Sequence, residues 1–147
     1  MIANVKLQNK KILLETDSPP KNAFLFSEVY FNNNRKVLLE FKPNLLKLLY
    51  VPNGYISDLT YLTNGPFSDR FLNASFLFYL YDNPGFIPNS WVEQISDYPK
   101  RVLFGGTIYS AYNEKYILLL EIWRNSIQIG YEDLFLSEKI DIPFAII

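Results

Sequence analysis

The sequence predicts an α+β fold: a mainly antiparallel β-sheet, made of hairpins and a C-terminal meander, with two short helices packed on one face. Three observations carry this prediction. Apolar and polar residues alternate with a period of two over successive stretches, as half-buried strands require. Turn formers punctuate the chain at Asn32-Asn33-Asn34, Pro52-Asn53-Gly54, Asn64-Gly65-Pro66 and Asp82-Asn83-Pro84-Gly85. Connections this short join antiparallel strands, because a parallel pair needs a crossover of about a dozen residues or more. With 147 residues, the chain fits a single globular domain spanning 1–147.

In chain order, Val5–Leu7 and Lys11–Leu14 form a first hairpin turning at Gln8-Asn9-Lys10. A second joins Ala23–Phe31 to Lys36–Lys42 through the asparagine triplet, since Asn tolerates the left-handed conformation of tight turns. Pro43-Asn44 ends that strand, and Asn44 is a helix cap for Leu45–Leu49, a segment that also reads as a strand. Between the central turns lie two expected strands, Tyr55–Leu62 and Phe71–Tyr81. Ser90-Trp91-Val92-Glu93 has capping-box spacing and starts a short helix that Pro99 ends. The meander is Arg101–Ser110, Lys115–Trp123 and Ser126–Tyr131, separated by Ala111–Glu114 and Arg124-Asn125. Its middle member also matches helical spacing at Tyr116, Leu119, Leu120 and Trp123; the short flanking turns favour a strand buried on both faces. Gly105-Gly106 inside a strand marks a bulge or a close backbone approach rather than a phosphate loop. The tail Ile140–Ile147 is apolar apart from Asp141 and is expected to dock.

Composition narrows the chemistry. There is no His and no Cys, which removes thiol and imidazole nucleophiles, bases and metal ligands, and no cofactor is expected. Ser, Lys and Tyr remain as a histidine-free set, but no local motif marks one. The absence of Cys fits a reducing compartment. The opening Met-Ile-Ala-Asn-Val-Lys lacks the pattern of a secretory signal, and no window reaches the ~20 apolar residues of a membrane helix. A cytoplasmic protein is the expectation. Without a secretory signal, Asn73-Ala74-Ser75 is only a tripeptide that matches the glycosylation sequon.

Charge is uneven around a net of −1. Residues 1–50 carry eight Lys/Arg against four acids, whereas residues 51–99 carry Arg70 against Asp58, Asp69, Asp82, Glu93 and Asp97. No block of like charge suggests a nucleic-acid arm. The acidic middle is also aromatic, with Tyr55 and Tyr61 near asparagine turns, and Tyr81, Asp82, Phe86 and Trp91 close together. Tyr and Trp give wide, stiff contact area with a polar handle, as interfaces favour. An aromatic platform for nucleic acid needs a positive groove, which this third lacks. The bland reading is that most of these rings are core.

One pattern has catalytic potential. Glu40-Phe41-Lys42 has the E-x-K spacing used by Mg-dependent nucleases, with Glu28 as the upstream acid. A three-residue loop would set Glu28 opposite Glu40, and a loop of two or four would separate them. The expected function is therefore a non-catalytic protein-interaction module (adaptor, immunity-type or phage accessory factor). It would bind a basic protein through Tyr55, Tyr61, Tyr81, Asp82, Phe86 and Trp91. The alternatives are a small-ligand or sugar module with an aromatic-lined cavity and, third, the nuclease. An exposed sheet edge would also allow a homodimer.

Overall fold

The computed structural model describes residues 4–8, 11–15, 28–33, 36–40, 46–50, 59–92, 99–124, 126–134 and 142–147, with 4–8, 11–15 and 36–40 described as backbone. In chain order the strands are β1 (Asn4–Gln8), β2 (Lys11–Glu15), β3 (Glu28–Asn32), β4 (Lys36–Glu40) and β5 (Lys47–Leu49). Two helices follow, α1 (Leu59–Asn64) and α2 (Ala74–Asp82), then 3₁₀ turns at Pro84–Phe86 and Asn89–Trp91. The chain continues with β6 (Lys100–Ala111), β7 (Glu114–Ile122), β8 (Ile127–Asp133) and β9 (Phe144–Ile146). The fold is α+β, as expected.

The 12-residue β6 is the spine of the larger, six-stranded sheet. One side of it pairs with β7, from Lys100↔Ile122 to Ala111↔Glu114, and β8 flanks β7. Two strands share its other side. β3 runs antiparallel along its C-terminal part, and β9 meets it in parallel at Leu103↔Phe144. β5 lies beyond β9. A separate antiparallel sheet has the order β1-β2-β4.

Alternation along β6 and β7 separates two cores. Val102, Phe104, Tyr109, Leu118 and Leu120 pack with α2 and Trp91. Leu103, Ile108, Ile117 and Leu119 pack on the opposite face with Leu62 of α1, Phe71 and Phe144. Because both faces are covered, the strands read as continuous apolar runs. The segment read as Lys115–Trp123 is thus strand β7, Glu114–Ile122, buried on both faces over Ile117–Leu120, and the docked tail is buried throughout Phe144–Ile146. The two helices do not share a face as expected: α1 and α2 lie against opposite ones.

Several elements differ from their sequence reading. Ala23–Phe31 and Lys36–Lys42 are not a hairpin: β3 joins β6, whereas β4 joins β2 through Lys11↔Glu40. The part of that reading at 23–27 falls outside the described residues. The first hairpin is present, with Gln8 paired to Lys11. Of the expected helices, Leu45–Leu49 contains strand β5, and Ser90 belongs to a 3₁₀ turn whose continuation at 93–98 lies outside the described residues. Helices form instead within the stretches expected to be strands: α1 (Leu59–Asn64) overlaps Tyr55–Leu62, whose residues 55–58 lie outside the described residues, and α2 (Ala74–Asp82) takes over most of Phe71–Tyr81. Asn73 is an N-cap, accepting from the Phe76 amide, so it starts a helix instead of interrupting a strand. α2 is buried nearly all round and also touches β2, so its sequence lacks the polar stripe that announces a surface helix. In α1 the Thr63 hydroxyl bonds back to the Leu59 carbonyl, and Gly65 closes the helix because a Cβ there would run into the Tyr61 carbonyl.

The notch where β3 and β9 meet on β6 holds the Gly105-Gly106 bulge. A Cβ on Gly105 would lie 2.8 Å from the Phe144 ring, and one on Gly106 would lie 2.7 Å from the Phe71 carbonyl. Asn33 bridges the notch. Its amide group donates to the carbonyls of Phe71 (2.8 Å) and Ser68 (3.2 Å), while its backbone N–H donates to Gly106 (2.9 Å). The buried Thr107 hydroxyl donates to Asn32 (2.6 Å) and accepts from the Ala74 amide (2.9 Å). Asn73 reaches Asn33 at 3.4 Å. The sequon asparagine is thus enclosed and engaged, and among the described residues the buried Ser75 hydroxyl has no hydrogen-bond partner.

Removing the bridge should be costly. We expect Asn33→Ala and Gly106→Ala each to lower unfolding free energy by about 2 kcal/mol in urea titrations. Gly85→Ala, where a Cβ would meet nothing within 4 Å, should be near neutral. Ser75→Ala should instead raise stability by about 1 kcal/mol, because it removes a buried hydroxyl that lacks a partner.

Candidate functional site

The residues singled out from sequence scatter. Tyr55 lies outside the described residues. Tyr61 is half-buried on α1, its ring 6.5 Å from Phe71. Phe86 is half-buried and stacks on Tyr79 at 5.6 Å. Trp91 is 2% exposed and belongs to the core, so it is removed from any contact surface. Only Tyr81 and Asp82, the last residues of α2, are exposed. The burial has a plain cause: the 3₁₀ turns after α2 fold the chain back, carrying Phe86 and Trp91 onto the α2 core.

Among the described residues, the pairing of Glu28 with Glu40 does not form: Glu28 of β3 is in register with Ser110 of β6, and Glu40 of β4 with Lys11 of β2 in the other sheet. Lys42 lies outside the described residues. Among the described residues, no three Asp or Glu side chains converge as a metal site.

A different concentration of exposed tyrosine surrounds the β6–β7 turn. The turn is Tyr112-Asn113, and both residues have positive φ, 52° and 68°. Two-residue hairpins favour this geometry because its twist matches the strands. For Tyr it is strained by about 1 kcal/mol. Tyr112 is 77% exposed at the tip. On β3 the register shifts between Val29 and Phe31, so Tyr30 is an extra residue and is exposed. Lys115 places its ammonium 4.6 Å over the Tyr30 ring.

On the α2 face of the sheet, alternation and register place Glu114 and Tyr116 of β7 beside Tyr131 and Asp133 of β8. Tyr116 pairs with Asp133, and Tyr131 pairs with Leu118. The two rings meet edge-on at 5.3 Å. The Tyr116 hydroxyl donates to Glu114 at 2.7 Å. That hydrogen bond, with desolvation and the negative charges of Glu114 and Asp133, pushes the Tyr116 phenol up to about 12. Burial alone raises Tyr109, in the adjoining core. This end of the sheet carries Glu28, Glu114, Glu132 and Asp133 against Lys115. It is a tyrosine-rich, acidic surface made of residues other than those singled out from the sequence. The signals for it were Tyr112-Asn113 as a two-residue turn and the acid/Tyr spacing in Glu114-Lys115-Tyr116 and Tyr131-Glu132-Asp133.

No protein-family model, curated protein or solved structure matches the chain.

The Tyr116–Glu114 pair has a pH signature. The folded phenol holds its proton above the ordinary value near 10, so its contribution to stability is complete below pH 10 and is lost as pH rises toward 12. Phenolate absorbance should show Tyr116 ionising late, and Glu114→Gln should bring it back toward 10. If Tyr116 titrates normally in the parent protein, the hydrogen bond is not formed in solution.

Proposed function

We propose that the chain is a non-catalytic protein-interaction module, working inside the cell as an adaptor, immunity-type or accessory factor. It binds a basic protein through the tyrosine-rich acidic end of its sheet. The observation that carries this reading is the coincidence of exposed rings with carboxylates around the strained tip, against a net charge of only −1 for the whole chain. A Tyr held in the left-handed region at a solvent-exposed tip carries backbone strain, and strain of this kind accumulates at functional sites. Rigid aromatic rings lose little entropy when a partner covers them, and surrounding carboxylates steer a basic partner and fix its orientation. The poor catalytic inventory, without His or Cys, agrees with this reading.

Stability and binding should separate at the tip. Tyr112→Asn relieves the strain, so it should hold or raise stability by up to about 1 kcal/mol. Native mass spectrometry of tagged protein recovered from its source cells should show a stoichiometric protein partner. Tyr112→Asn combined with Tyr131→Ala should abolish that species, and Tyr81→Ala combined with Asp82→Asn should not. Loss only in the second pair would move the surface to the end of α2, and recovery of bare protein would overturn the reading.

A further inference from the structure

We propose that the Glu114/Tyr116–Tyr131/Asp133 patch takes an arginine side chain of the partner, its guanidinium lying on the Tyr131 ring and its N–H groups directed at the flanking carboxylates. The inference rests on the interaction reading above and names the chemistry of recognition. Two adjacent strands supply an alternating set on one face: acid and ring on β7, ring and acid on β8. Tyr131 is 56% exposed, and the Tyr116 ring packs against it in a T-shaped arrangement with centroids 5.3 Å apart. Tyr116 is itself held by Glu114 at 2.7 Å, which keeps the pair in one arrangement before a partner arrives.

The chain already places one cation over a tyrosine ring. Lys115 lies 4.6 Å over the Tyr30 ring, two strands away on the same end of the sheet. The β7/β8 patch combines tyrosine rings with carboxylates, and Asp133 is directly opposite Tyr116. A planar guanidinium stacks on a ring and also meets a carboxylate with two parallel N–H bonds; an ammonium does only the point-charge part. The same carboxylates repel phosphates, which excludes a nucleic-acid strand as occupant.

The test uses short fluorescein-labelled peptides alternating Gly with Arg, and twins alternating Gly with Lys, read by fluorescence anisotropy on the full chain. The Arg peptide should bind about 2- to 5-fold tighter than its Lys twin. Tyr131→Phe should keep that preference, and Tyr131→Ala should erase it while leaving weaker, salt-sensitive binding of both. Asp133→Asn should weaken both peptides. Equal affinity of the twins for the parent chain, or a preference that survives Tyr131→Ala, would overturn the inference. Equal twins, with capture of the cellular partner still dependent on Tyr131, would leave the interaction reading standing alone. Discriminated twins with no such dependence would do the reverse. Circular dichroism of Tyr131→Ala checks the fold, which an exposed edge residue should leave intact.

Discussion

The shared side of β6 is the constraint on which the rest of the structure depends. A 12-residue strand is paired along one side by β7 alone, but its other side is divided between β3 and β9, which run in opposite directions. Where they meet, ladder hydrogen bonding lapses and backbone groups would be buried without partners, each at a cost of about 1–3 kcal/mol. Gly106 lets the 71–73 segment approach closely enough to donate and accept across the gap, and the side chains of Asn32, Asn33, Asn73 and Thr107 complete the set. The helix cap of α2 belongs to the same network, because Asn73 also accepts from Phe76 and Thr107 accepts from Ala74. One polar knot therefore fixes the end of β3, the seat of β9 and the start of α2.

The candidate site follows from what that knot leaves uncovered. α2 and the turns after it fill the face around Val102, Phe104, Leu118 and Leu120 with Phe76, Leu80 and Trp91. The strands continue past this cover to the Tyr112-Asn113 turn, and side chains there face solvent on a stiff, continuous ladder. Rings and carboxylates placed on such a ladder keep their spacing through the pleat. Preorganisation of that kind lets a small exposed surface discriminate between partners. The bulge at Tyr30 serves the same end of the sheet by turning an additional ring outward.

The sequence by itself determined the fold class, the first hairpin, the β6–β7–β8 meander, the docked tail and the Gly105-Gly106 irregularity. Period-two alternation, short turns and glycine in a strand are local consequences of backbone geometry, legible wherever they occur. Of the aromatic set singled out from the sequence, Trp91 and Phe86 are packed, and the exposed tyrosines around the β6–β7 turn lie outside that set. Tertiary packing settled that Ala74–Asp82 becomes helix, that Leu48 sits in a strand, and that β3 leaves β4 to join β6. In α2 the reason is that a helix buried on all sides loses the polar stripe that distinguishes it from a buried strand. For Asn32 and Asn33 the reason is that the same amides that suit a tight turn also engage partners across the sheet, Asn33 donating to carbonyls and Asn32 accepting from the Thr107 hydroxyl. Which of the two happens depends on a partner strand 75 residues away, as the Thr107–Asn32 bond shows.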